Sequence, residues 1–252
     1  MNELVSAIIT TYNRFELFKK ALNSVQNQTY QNIEIIVIDG SQNEQVPSYL
    51  IQYPDIIYMA TNKSHPNTLR NLGVDCANGK WVAFLDDDDS WMSEKIDRQI
   101  KCFQNNDIHL CYTGKNIINQ NQEILKYSYH NAKFSSDLKS IMWDNFIGST
   151  SSIAVLKKTI IEVGKFDENF PALQDYDLYI RICQKYKVKG IDKPLISYLN
   201  NHAQNQISKQ KDNFKKACKL LEMKYKNLEY SSMLIIGLVK LKLKRTVKGL
   251  YE

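Results

Sequence analysis

Short apolar runs and helical stripes alternate along the first part of the chain. Val5-Ser6-Ala7-Ile8-Ile9-Thr10 is nearly all apolar, the pattern of a short strand buried on both faces. Phe15 to Gln26 then places Leu17, Phe18, Ala21, Leu22 and Val25 at helical spacing, which predicts a helix with one buried side. Ile33 to Ile38 predicts a second strand ending at Asp39-Gly40-Ser41, and Ile56 to Met59 a short third. Asn67 or Thr68 can cap a helix through Arg70-Asn71-Leu72-Gly73-Val74, which Gly79 closes before the strand Trp81 to Leu85. This alternation predicts parallel crossover units in an open, doubly wound α/β sheet. Ligands of such sheets sit beyond the carboxyl ends of the strands.

The later pattern is less regular. Ser93 can cap a helix from Glu94 to Phe103. Leu110 to Asn116 and Glu123 to Tyr129 predict a hairpin around the polar turn Asn119-Gln120-Asn121-Gln122, and Ser151 to Leu156 another strand. A helix begins at Gln174-Asp175-Tyr176-Asp177-Leu178 and runs through Ile180, Ile182 and Cys183; Leu195 to Tyr198 is strand-like. From Lys209 onward two helical stripes follow, one through Phe214, Ala217, Leu221, Tyr225 and Leu228, the other through Ile236, Val239, Leu243, Val247 and Leu250.

Composition bounds this picture. At 252 residues, 43% of them hydrophobic, the chain can bury a full core. With no repeat and no Gly/Pro-rich boundary, residues 1–208 are expected to form one domain and 209–252 a helical tail. The net charge of +6 belongs to that tail: Asn205 to Glu252 holds twelve Lys or Arg against four Asp or Glu. A basic amphipathic helix can lie on an anionic membrane or pack on the body with its lysines in water. A body with more acids than bases argues against nucleic acid as the partner. Five scattered cysteines without metal-ligand spacing predict buried reduced thiols. A start without a basic segment and the lack of a long apolar run place the protein, as an expectation, in the cytoplasm.

The candidate chemistry gathers at predicted strand ends. Thr10-Thr11-Tyr12-Asn13-Arg14, Asp39-Gly40-Ser41 and Asp86-Asp87-Asp88-Asp89 end three successive strands and so converge on one edge. Each cluster alone could be a polar turn. Asp86-x-Asp88 at a strand end also suits a hard cation such as Mg²⁺ or Mn²⁺, which takes carboxylates plus substrate phosphate oxygens. Asp175 and Asp177 in a first helical turn fit the helix dipole, and Arg181 one turn on suits a structural role for Asp177. His202, in a polar loop, reads as solvated when taken alone.

The ordered set of Ile9 to Arg14, Val37 to Ser41, Arg70-Asn71-Leu72-Gly73, Gly79 to Asp89, Val163 to Glu168 and Asp175 to Arg181 resembles the family-2 inverting glycosyltransferases of GT-A fold, over about four-fifths of the chain. The resemblance implies a nucleotide-sugar half at residues 1–116 and an acceptor half at 117–208. It implies that Thr10, Tyr12 and Asp39 hold the nucleotide base with Arg70 nearby, and that Arg14, Asp86 and Asp87 join in donor binding. Asp88 and Asp86 would ligate Mn²⁺ or Mg²⁺ with His202, and Asp175 would be the general base. The implied reaction is metal-assisted single displacement from a UDP-sugar to a lipid-linked or growing glycan, as in bacterial capsule or lipopolysaccharide assembly, by an enzyme peripheral to the cytoplasmic membrane. The competing expectation is a non-catalytic module of the same fold that binds nucleotide sugar or membrane. Two positions depart from the family pattern. Ile38 stands where a second acid is usual, and Gln174 precedes Asp175 where Glu is frequent, which removes a like charge beside the base.

Overall fold

A computed structural model describes residues 3–104, 107–128, 137–199 and 211–248. Four parallel strands, β1 (Val5–Thr11), β2 (Ile33–Asp39), β3 (Ile57–Ala60) and β4 (Trp81–Asp86), form one half of a mixed sheet. The helices α1 (Phe15–Gln26), α2 (Gln45–Leu50) and α3 (Pro66–Cys76) make the crossovers. The other half holds β5 (Asp89–Trp91), β6 (Ile108–Ile118), β7 (Ile124–Ser128), β8 (Ala154–Leu156) and β9 (Lys187–Leu199). Strand order is β3-β2-β1-β4-β8-β6-β9-β5, with β7 paired to β6. Pairing is antiparallel at β4–β8, β8–β6 and β9–β5 but parallel at β6–β9. The remaining helices are α4 (Lys95–Gln104), α5 (Leu138–Trp143), α6 (Lys157–Glu162), α7 (Gln174–Cys183), α8 (Lys211–Tyr225) and α9 (Ser231–Lys248).

The continuous apolar runs are explained by two cores, one on each face of the sheet. Along β1, Ala7 and Ile9 join Phe18, Leu22 and Ile100 on the α1 and α4 side, while Ile8 joins Phe84, Tyr176 and Ile180 on the α7 side. The second core also takes Phe214, Leu221, Tyr225, Leu234 and Leu238, so α8 and α9 pack on the body. All five cysteines are free; Cys111, Cys183 and Cys218 are buried.

Several elements differ from the sequence pattern. Helix α3 begins at Pro66 after His65 rather than under a cap at Asn67 or Thr68. The fixed φ of proline suits a first helical turn. Asn67 is buried instead, its amide donating to the Asp167 carbonyl at 2.8 Å. Thr150–Ser152 forms a 3-10 turn, and only Ala154–Leu156 is strand. There the Ser152 hydroxyl bonds the Ser149 carbonyl at 2.7 Å, local bonding that competes with a ladder. Strand β9 starts eight residues earlier than Leu195, because its partner β6 supplies the ladder that its own Lys, Gly and Pro residues do not advertise. Among the described residues no helix is long and apolar enough to cross a membrane.

Candidate active site

The ends of β1, β2 and β4 finish level. Thr10 lies opposite Asp86 and Thr11 opposite Asp39, so parallel register alone brings the three polar clusters together. Asn13 leads the chain away in the left-handed region (φ 54°), which asparagine tolerates. Its amide donates to Ser41 Oγ at 2.7 Å. The Ser41 amide donates to Asp39 Oδ1 at 2.7 Å, and the Tyr58 hydroxyl to Oδ2 at 3.2 Å. Asp39 is thus buried with both oxygens held, the fixed floor of this corner. Only glycine fits at Gly40, where a Cβ would stand 2.5 Å from the Lys63 carbonyl oxygen and 3.2 Å from the Tyr12 ring. Tyr12 lies over that floor, 47% exposed.

The four aspartates have four different surroundings. Asp86 accepts from Arg70 Nη2 at 2.6 Å and from the Thr10 hydroxyl at 3.4 Å, while its amide donates to Ser151 Oγ at 3.2 Å. Arg70 is itself buried, and its Nε and Nη1 have no partner among the described residues. Asp87, expected at the donor, has a fully buried side chain; it accepts from the Thr11 hydroxyl at 2.8 Å and pairs with Arg14. Burial pushes its carboxyl up to about 7 against the pull of Arg14. Asp87 therefore meets the cleft through Arg14, whose Nη1 also donates to Asp88 Oδ2 at 2.9 Å. Burial raises the Asp88 carboxyl as well, with Arg14 opposing. Asp89 belongs to no polar turn but is the buried first residue of β5, held opposite Tyr198 because β5 pairs with β9.

Asp175 comes to the same place from the other half. Leu173, in left-handed backbone (φ 56°), turns the chain into α7, and its side chain packs on the core. That strained conformation for a branched residue is held by its surroundings. The Tyr176 amide donates to Asp175 Oδ1 at 2.7 Å. Burial raises the Asp175 carboxyl above the usual range; Arg70 and Lys115 oppose the rise and Asp86 adds to it. Arg70, paired with Asp86, thus also acts electrostatically on Asp175. Burial raises the Tyr198 hydroxyl too, and Asp89, Asp88, Asp86 and Asp175 all act on it, so the two halves share one electrostatic site. Asp177 faces away: Arg181 grips its Oδ2 at 2.9 and 2.7 Å, while Lys224 and the Tyr225 hydroxyl reach Oδ1 at 2.8 and 2.7 Å.

Of the expected residues, Thr10, Tyr12, Arg14, Asp39, Arg70, Asp86, Asp87, Asp88 and Asp175 all lie around this edge. His202 lies outside the described residues. Sequence reasoning passed over Tyr58, Lys115 and Tyr198, whose roles depend on pairing across the sheet, and Ser151, which a 3-10 turn brings to the Asp86 amide. Asp86 and Asp88 keep side-chain exposures of 27% and 20%, and as hard oxygen donors they suit Mg²⁺ or Mn²⁺. Among the described residues no three His, Cys, Asp or Glu converge on a ready cluster, so such an ion would draw further oxygens from its substrate. A depression of about 400 Å³ lined by Gly79, Lys80, Leu156, Lys157 and Lys158 lies at the other end of β4, away from these carboxylates.

Known proteins resemble this chain in sequence and in fold. The glycosyl transferase family 2 model matches residues 6–164. An uncharacterised glycosyltransferase of Methanocaldococcus jannaschii is 31% identical over 218 residues, covering 82% of this chain and 74% of that protein. The UDP-Glc:alpha-D-GlcNAc-diphosphoundecaprenol beta-1,3-glucosyltransferase of Escherichia coli is 28% identical over 212 residues, 82% of this chain and 81% of its own. An uncharacterised glycosyltransferase of Rickettsia felis is 32% identical over 195 residues, but this chain spans only 32% of its length. Among solved structures, Staphylococcus aureus TarS 1–349 in complex with UDP-GlcNAc superposes with a TM-score of 0.74 at 15% identity, over 93% of this chain and 71% of that one. Its complex with UDP gives 0.72. At that identity the likeness is one of fold, the α/β GT-A arrangement that the sequence led us to expect.

Proposed function

The chain belongs to glycosyl transferase family 2, and from that premise we propose that it transfers a sugar from a UDP-sugar to a hydroxyl of a lipid-linked or growing surface glycan, inverting the anomeric carbon. Support for the donor comes from TarS, crystallised with UDP and with UDP-GlcNAc. Support for the acceptor comes from the E. coli relative, named for a GlcNAc-diphosphoundecaprenol substrate. Such an acceptor implies work at the inner face of the cytoplasmic membrane.

The observation that carries the reading is the convergence of Asp175 with Asp86 around Arg70, from opposite halves of the molecule. In this reading Tyr12 offers a stacking face above the Asp39 floor for the base, with Thr10 beside it. Arg14 holds Asp87 and Asp88 in place. Mn²⁺ or Mg²⁺, held by Asp86 and Asp88 with His202, would neutralise charge on the leaving diphosphate. Asp175 takes the proton from the acceptor hydroxyl as that oxygen attacks. Arg70 keeps Asp175 from being protonated too readily, because a neighbouring cation favours the carboxylate.

The test is incubation of purified protein with UDP-glucose or UDP-GlcNAc, Mn²⁺ and a short polyprenyl-diphosphate sugar acceptor, with the product anomer read by NMR. Transfer with inversion is expected. A protein that binds UDP-sugar yet neither transfers nor hydrolyses it is a binding module, and a product of retained configuration overturns the single displacement.

A further inference from the structure

Helix α9 presents two apolar faces in different directions. On the inner one, Leu234 and Leu238 are buried at 1% and 0% exposure. Gly237 lies so close to α5 that a Cβ would stand 2.4 Å from the Trp143 carbonyl oxygen. These contacts fix α9 on the body. On the far side Ile235, Ile236, Val239 and Leu243 are exposed at 50%, 51%, 46% and 61%. At about 100° per residue they form one continuous outward stripe, bordered by Lys242 on one flank and by Lys240 and Lys244 on the other. The helix carries no acidic residue.

We infer that this stripe docks α9 in the interface of an anionic phospholipid bilayer. Apolar side chains on an outward helix face enter the boundary between headgroups and acyl chains, while flanking lysines reach anionic headgroups with their stems alongside. Lys240 and Lys242 are half-exposed at this border. Their pairs with Asp144 at 3.9 Å and Glu222 at 3.3 Å are open to solvent on one side, and pairs of that kind contribute little to stability. A second copy of the chain fits the stripe poorly. It would bring lysine borders against lysine borders, and four side chains fall far short of the roughly 20 residues a side that stable interfaces bury.

The docking helix is also joined to the site by packing. Helix α5, beneath α9, takes the Tyr176 hydroxyl on its Ile141 carbonyl at 2.8 Å, and Tyr176 adjoins Asp175. One stack of helices thus links the lipid-facing stripe to the acceptor wall. The docking rests on the geometry of α9; only its purpose rests on the reading that the acceptor is lipid-linked.

Sedimentation of the full chain with vesicles of phosphatidylglycerol and phosphatidylcholine tests the inference. The chain is expected to partition onto these vesicles, far less onto pure phosphatidylcholine, and to dissociate in high salt. A variant carrying Ile235→Ser, Ile236→Ser, Val239→Ser and Leu243→Ser should lose about tenfold in partitioning. Its melting temperature and its transfer to a short water-soluble acceptor should be unchanged. Lys240→Gln with Lys244→Gln should weaken binding and flatten its salt dependence. Equal partitioning of the polar-stripe variant overturns the inference, as does equal binding to neutral vesicles or a dimer in solution that the variant dissociates. Vesicle binding that follows the expected pattern in a protein without transferase activity leaves the docking standing and removes the enzymatic reading.

Discussion

The donor edge and the acceptor wall hold their carboxylates in opposite ways. At the donor edge each is tied: Asp39 to Ser41 and Tyr58, Asp86 to Arg70, Asp87 and Asp88 to Arg14. On the acceptor wall Asp175 accepts one bond, from the next amide, and has no ion pair among the described residues. The contrast fits the proposed roles. A proton acceptor must change charge within the reaction, and a tight ion pair would oppose that change. Asp177 shows the alternative two residues on, locked by Arg181, Lys224 and Tyr225 into structure.

Four experiments break or sharpen this contrast. The largest effect is expected for Asp175→Asn, a loss of roughly a thousandfold in transfer with UDP-sugar affinity preserved. Comparable turnover in that variant would remove Asp175 from the chemistry. Asp177→Asn should instead cost about 3 kcal/mol of stability in denaturant unfolding, because cations gathered in a buried site lose their counter-charge. If Asp177→Asn unfolds like the parent while transfer collapses, the roles of the two residues are reversed. For Asp88→Ala, calorimetry should show donor affinity down about tenfold in Mn²⁺ and little changed in chelator. Equal loss in both conditions would mean that Asp88 supports Arg14 rather than a metal.

The smallest effect concerns pH. Burial holds the Asp175 pKa above the ordinary 3.8, and a base must be deprotonated to act, so kcat/KM should fall on acidification at a pH above that value. Arg70→Gln removes a cation that favours the carboxylate, so the acid limb should move to higher pH. An unmoved limb would assign it to another group.

Much of the donor half was legible because its elements are local. A run such as Trp81 to Leu85 has room for only one kind of element, and parallel strands of matched length must deliver their ends together. The acceptor half was less so. Its helices α5 and α6 have six residues each, too few for a helical period to show. Strand β9 carries Lys187, Lys189, Gly190 and Pro194, residues that look like loop until β6 pairs with them. The tail left two readings open, an anionic membrane or the body as its support. The periodic positions Ile236, Val239 and Leu243 turn outward, and Leu234 and Leu238 are the residues that α9 buries on the body.

The sequence by itself determined the α/β alternation, the three polar strand ends and, through its ordered motifs, the family; these depend on residues near one another along the chain. Tertiary structure alone decided that Asp87 is buried beneath Arg14, that Asp89 belongs to a strand, that Arg70 pairs with Asp86 and acts on Asp175, and which face of α9 looks outward. Each of those depends on what packs against a side chain from far away in sequence. An apolar stripe or a run of aspartates carries no record of its partner, and burial and charge pairing arise only once the partner is in place.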